Sequence, residues 1–162
     1  MYNIGDKIVY PMHGAGVIES IEEKSVLGEL RLYYILRMPV GDMKVMIPTH
    51  CSEEIGIRGI IPECECEKVF SILSGECSDT NSNWSKRYRE NMLKIKTGDI
   101  FEVADVYKSL MVRDKDRGLS TGERKMLMSA RQILISELVL VKNIDQSEVE
   151  KMVRISLQIE TV

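Results

Sequence analysis

Near residue 62 the spacing of apolar side chains changes from every second position to every third or fourth, so one chain must build two kinds of structure. Before that point the clearest segment is 30–38. Leu30, Leu32, Tyr34, Leu36 and Met38 alternate with Arg31, Tyr33, Ile35 and Arg37, the pattern of a half-buried strand with the first set facing the core. Residues 7–10 (KIVY) follow a Gly5-Asp6 turn, and 16–22 (GVIESIE) follow the turn-rich Pro11-Met12-His13-Gly14. Val40-Gly41-Asp42 turns into a strand over 43–47 that Pro48 stops, and 57–61 supplies a last short strand. Short antiparallel strands at this density predict a small SH3- or Tudor-like β-barrel over residues 1–64.

From residue 65 the period is helical, and the expected fold is α+β: the barrel followed by an all-α bundle over 65–162. A short helix is expected over 67–73, a polar connector over 78–83, and helices over about 84–95 and 99–114. Ser120-Thr121-Gly122-Glu123 has the form of a capping box, in which hydroxyl and carboxylate each satisfy an orphan amide. Behind it Leu127, Ala130, Leu134, Leu138 and Val141 form an apolar stripe that requires partner helices. Asp145-Gln146-Ser147-Glu148 reads as a second box opening a helix to about residue 158.

Several function classes are disfavoured by what the chain contains. No apolar run approaches the roughly 20 residues of a membrane span, and the opening MYNIGDKIVY has neither a basic leader nor an apolar signal core. A cytoplasmic protein is expected. Cys51, Cys64, Cys66 and Cys77 lack paired C-x-x-C knuckles, so they read as free thiols with no metal. His13 and His50 have no neighbouring nucleophile or orienting carboxylate. Gly14-Ala15-Gly16 is too short to cradle a phosphate and reads as a tight turn with positive φ. Neither an enzyme nor a cofactor is expected.

Net charge is −3, yet its distribution is uneven. Residues 1–64 carry 6 basic and 9 acidic side chains, whereas 84–131 carry 12 and 7. A basic block in an acidic chain points to a polyanionic partner. It opens with the chain's one tryptophan, in Asn83-Trp84-Ser85-Lys86-Arg87-Tyr88-Arg89. Lys86 and Arg89 share a helix face, and Asn83 or Ser85 can cap the helix, so cations and unpaired amides together suit phosphate. Two readings stay open for Trp84, a core anchor at a helix start or an exposed functional ring, and the basic helix can equally be a solvated face.

The segment Gly5-Asp6-Lys7-Ile8-Val9-Tyr10-Pro11-Met12-His13-Gly14 resembles the start of the RNA-polymerase-interacting domain shared by CarD-type regulators and the transcription-repair coupling factor. Tyr33-Tyr34, Met46-Ile47-Pro48 and Gly56-Ile57-Arg58 extend the likeness. Trp84-Ser85-Lys86-Arg87-Tyr88, Leu119-Ser120 and Ala130-Arg131-Gln132-Ile133-Leu134 are similar to the CarD C-terminal domain, and helicase motifs are absent. The resemblance implies a monomeric transcription regulator whose Tudor-like domain pairs with the β subunit of RNA polymerase. Lys24, Val26, Lys44, Val45 and Met46 would form that surface; Met46 stands where the family can carry a basic residue. It also implies that Trp84 wedges into the minor groove of promoter DNA at the upstream edge of the melted bubble, with Lys86, Arg87 and Arg89 on phosphates. Two other classes compete. An autonomous sequence-specific repressor would need an exposed row of Arg, Asn or Gln on a recognition helix. A peptide-binding adaptor would use the barrel and no DNA at all.

Overall fold

A computed structural model describes residues 1–76 and 83–158. Cys77 and most of the expected connector, 78–82, lie outside the described residues. The fold is mixed α/β, with an antiparallel five-stranded sheet and six helices, the first of which lies between the last two strands.

The strands are β1 (Lys7–Tyr10), β2 (Gly14–Val26), β3 (Glu29–Arg37), β4 (Lys44–Pro48) and β5 (Arg58–Gly59), in the order β4-β3-β2-β1-β5. The two edge strands do not meet, so the sheet is open where a closed barrel was expected. Ile8, Ile18, Tyr34, Leu36, Met38 and Ile47 form its core. The alternation in β3 holds only in part. Tyr34 and Leu36 enter the core as expected, but Tyr33 and Ile35 are buried too, so both faces are covered there. Leu30 and Leu32 are exposed, because β4 ends at Pro48 opposite Tyr33 and the outer β2–β3 hairpin extends beyond the sheet. Leu27 and Gly28 turn that hairpin with positive φ at both positions, the geometry that matches strand twist.

The helices are α1 (Ser52–Ile55), α2 (Cys66–Ser74), α3 (Trp84–Lys96), α4 (Ile100–Asp116), α5 (Thr121–Lys142) and α6 (Gln146–Leu157). Ser120 caps α5 as expected, its hydroxyl accepting from the Glu123 amide. The expected box at Asp145 does not form: Asp145 is the N-cap of α6, but its side chain accepts no capping hydrogen bond. Helix α5 is the bundle's axis. Its expected stripe is buried at Leu127, Ala130, Leu134 and Leu138, and Met126, Ile133, Ile135 and Leu140 are buried as well. Such burial on nearly all sides follows from α5 packing on α4, α6 and the sheet at once.

The seam between sheet and bundle sets tight polar contacts beside a small apolar cluster of Val9, Ala15 and Leu140. Ala15 donates its amide to Ser136 Oγ at 2.8 Å, and Gln132 donates to the Val40 carbonyl at 3.1 Å. Gly14 carries φ +114°, and a Cβ there would stand 2.6 Å from Ser136 Oγ, so only glycine allows the helix this close. Gly16, expected in the same turn with positive φ, lacks it; both glycines lie within β2. A side chain at Gly16 would meet the Arg37 carbonyl at 2.7 Å. Arg58 binds Glu137 through two hydrogen bonds of 2.9 and 2.7 Å and also donates to the Gly98 carbonyl, while the Ile61 amide donates to Glu137 Oε2.

Candidate nucleic-acid and docking surfaces

The Trp84 segment forms a helix start because Asn83 adopts extended backbone and its side chain accepts from the Lys86 amide at 3.3 Å. Trp84 is therefore the first helical residue. Trp84 is 44% exposed, so it is no buried core anchor, and its side chain is nonetheless packed on one side. One face stacks on Tyr88, with ring centroids 5.2 Å apart and planes inclined by 21°. The indole Nε1 donates to Ser120 Oγ at 3.0 Å. A Cβ at Gly122 would touch both rings, at 3.5 Å from Tyr88 and 3.8 Å from Trp84, so the first turn of α5 lies directly beside them.

The three expected phosphate contacts divide. Lys86 and Arg89 are exposed on the outer face of α3. Lys86 lies 3.9 Å from Glu90, a loose i,i+4 contact, and Arg89 has no ion pair with a described residue. Arg87 points the other way and is only 4% exposed. Its Nε and Nη2 donate to Glu123 at 3.0 and 3.3 Å. The reason is helical geometry: Arg87, Asn91 and Ile95 lie four apart and form the face that α3 buries. A phosphate could be reached by this guanidinium only by abandoning a buried carboxylate, so the expected contact at Arg87 is corrected to an internal one.

Glu123 joins this pair to the tryptophan. It is 3% exposed, and burial pushes its carboxyl up; the Arg87 hydrogen bonds and charge, Arg113 at 3.9 Å and Ser120 outweigh that. The net result is a carboxyl held below the usual range and ionised at neutral pH. In a regular capping box the carboxylate reaches back to the N-cap amide, whereas here Glu123 Oε1 accepts from the Ser120 hydroxyl at 3.3 Å. Lys125, exposed on α5, lines with Tyr88, Met92 and Gly122 a shallow groove beside the indole. The sequence reading missed Ser120 and Lys125 as members of this neighbourhood, whereas Tyr88 stands in the Trp84 segment that it singled out. The spacing of Tyr88 four residues after Trp84 was the one available signal.

The second surface lies at the far edge of the sheet. β4 pairs with β3 on one side only, from Tyr33↔Pro48 to Arg37↔Lys44, and its other side is open. Met46 is exposed and Lys44 pairs with Glu19 at 3.1 Å, while Val45 packs against the sheet core. Lys24 lies 3.7 Å from Glu22, and Val26 is exposed beside the fully exposed Leu27 at the hairpin tip. An open edge with apolar and cationic side chains is suited to strand addition by a partner chain.

Among the described residues no cluster of His, Cys, Asp or Glu is arranged to hold a metal ion. Burial pushes the Cys66 thiol up, against nucleophilic use. No described helix is long and apolar enough to cross a membrane.

Residues 2–61 match the CarD-like/TRCF RID domain, and residues 68–154 match the CarD C-terminal domain. A relative in Bacillus subtilis (strain 168), named "Putative transcription factor YdeB", is 43% identical over 150 residues, covering 93% of this chain and 98% of the relative.

Proposed function

Because the chain belongs to the CarD family of transcription factors, we propose that it docks on the β subunit of RNA polymerase in the cytoplasm through β4 and the β2–β3 hairpin. From there it stabilises the open promoter complex with Trp84. The observation that carries this reading is the indole at the mouth of α3, half-exposed and backed by Tyr88, with exposed Lys86 and Arg89 on the same helix.

Two cations on an acidic chain bind DNA weakly, with a Kd no tighter than the non-specific range of about 10⁻⁴ M. Docking on polymerase raises the effective DNA concentration to the order of mM, which is enough to fill such a site. A ring that contacts only unstacked DNA shifts the opening equilibrium by its differential affinity, and about 1.4 kcal/mol is a tenfold change in bubble lifetime. Lys86 and Arg89 hold phosphates and fix register; Arg87 positions the helix through Glu123.

An autonomous repressor fits less well. The second half of α5 is enclosed, with Gln132 engaged by Val40 and Arg131 by Glu150. The one exposed Arg, Asn or Gln of α5 is therefore Arg124, which lies 3.8 Å from Asp114, and a single such side chain is no row for reading base edges. The test is direct. Adding the full chain to preformed promoter complexes should slow their decay after a competitor is added, and should give little shift of bare duplex. Strong duplex binding without polymerase would overturn the proposal in favour of the repressor.

A further inference from the structure

The Ser120 hydroxyl has one proton and two lone pairs, and all three are engaged. It accepts from Trp84 Nε1 at 3.0 Å and from the Glu123 amide at 3.2 Å, and it donates to Glu123 Oε1 at 3.3 Å. The direction of the proton follows from the chemistry of its neighbours. Indole N–H and backbone N–H are both donors, so the hydroxyl can donate only toward the carboxylate. That carboxylate is itself fixed by Arg87 and Arg113. The capping serine thereby links a buried ion cluster to an exposed ring.

We infer that Ser120 is the positioning residue for Trp84: its hydroxyl, oriented by the Arg87–Glu123 pair, holds the indole on Tyr88 in a single orientation and engages the ring's one hydrogen-bond donor. The inference rests on the reading of Trp84 as the ring that meets opened DNA. Two consequences follow. The ring is presented pre-organised, so less side-chain freedom is lost on contact with DNA. Its N–H is turned toward protein, so what remains for DNA is apolar ring surface, which carries no hydrogen-bond readout of base identity.

The chain's one tryptophan makes the test spectroscopic as well as functional. Full-length Ser120→Ala, Ser120→Gly and Ser120→Thr are compared with wild type and Trp84→Ala. Glycine is a tolerated N-cap, so Ser120→Gly separates loss of the hydroxyl from loss of the helix cap, and threonine restores both. In the alanine and glycine variants the Trp84 anisotropy should fall and its emission shift. Promoter-complex lifetime should fall by about threefold or more, the worth of one hydrogen bond. Ser120→Thr should recover both readouts, and Ser120→Ala should shorten the lifetime no further in a Trp84→Ala background. The inference is overturned if Trp84→Ala shortens the lifetime while the alanine and glycine variants keep wild-type lifetime and anisotropy, or if the two sites' effects add. Should Trp84→Ala leave the lifetime unchanged, it is the wedge reading that fails. Unchanged anisotropy in the two variants would then separately overturn the role of Ser120.

Discussion

Arg58 on the sheet and Glu137 on α5 are 79 residues apart in sequence and joined by two hydrogen bonds, of 2.9 and 2.7 Å, with the carboxylate wholly buried. This pair ties β5 to α5 and to the turn that follows α3, because the Ile61 amide and the Gly98 carbonyl are bound by the same two side chains. Glu137→Ala should leave the Arg58 guanidinium and the Ile61 amide without their shared partner and cost roughly 3 kcal/mol or more. Glu137→Gln, which keeps an acceptor, should cost less. Urea denaturation of the full chain measures both, and equal costs would mean that charge is irrelevant at the seam.

This seam was the least legible part of the sequence. Ser136 and Glu137 interrupt the apolar run of residues 133–141, which was a signal that two polar groups sit inside a helix otherwise built for burial. Their partners Ala15 and Arg58 come from the other half of the chain, and no local pattern connects them. Apart from the short α1, which was not expected, strand and helix positions were legible to within a few residues, because they follow from period and turn chemistry. Sheet closure was not, since it depends on how far β5 extends, and β5 spans only Arg58–Gly59. At the candidate site, Trp84 and its exposed cations were visible as a cluster. The inward turn of Arg87 could have been read from its four-residue spacing to Asn91 and Ile95, but composition drew attention to the charge instead.

The division among the basic residues can be measured. Arg87→Ala should destabilise the fold by about 3 kcal/mol, since it strands Glu123 in a buried site. Lys86→Ala with Arg89→Ala should change stability by no more than about 0.5 kcal/mol per site. The double variant should lower the salt slope of promoter-complex stability by about 2, near 0.9 per phosphate. A salt slope that stays at the wild-type value would make these two side chains a solvated face.

Acid sensitivity should arise at Glu123. Burial alone would push this carboxyl up, but Arg87, Arg113 and Ser120 bring it below its ordinary value in the folded state. The folded form therefore binds its proton less readily than the unfolded chain. The stability that results is present above the unfolded value of about 4.3 and is lost as pH falls through the folded value. Glu123→Gln should be less stable at neutral pH, and its stability should fall less steeply between that unfolded value and the lower folded one. Parallel acid limbs for the two proteins would place the titration elsewhere.

At the sheet edge, Met46→Asp should weaken binding to a β-subunit fragment while leaving the melting temperature within about 2 °C, because the side chain is exposed. Lys24→Glu should act in the same direction through the hairpin. Undiminished polymerase binding by the combined variant would move the docking surface away from β4.

On the proposed function, Trp84 acts on opened DNA and does not hold the fold together. Its half-exposed ring, stacked on Tyr88 and hydrogen-bonded to Ser120, gives Trp84→Ala a modest stability cost of about 1–2 kcal/mol, below the 3–5 kcal/mol of a buried aromatic. The decisive measurement is the lifetime of the promoter complex with polymerase and full-length Trp84→Ala, taken where thermal unfolding of the same sample shows the variant fully folded and still bound to polymerase. A lifetime shortened several-fold is the predicted result. A folded, polymerase-bound variant that stabilises the complex as well as wild type would rule out Trp84 as the wedge.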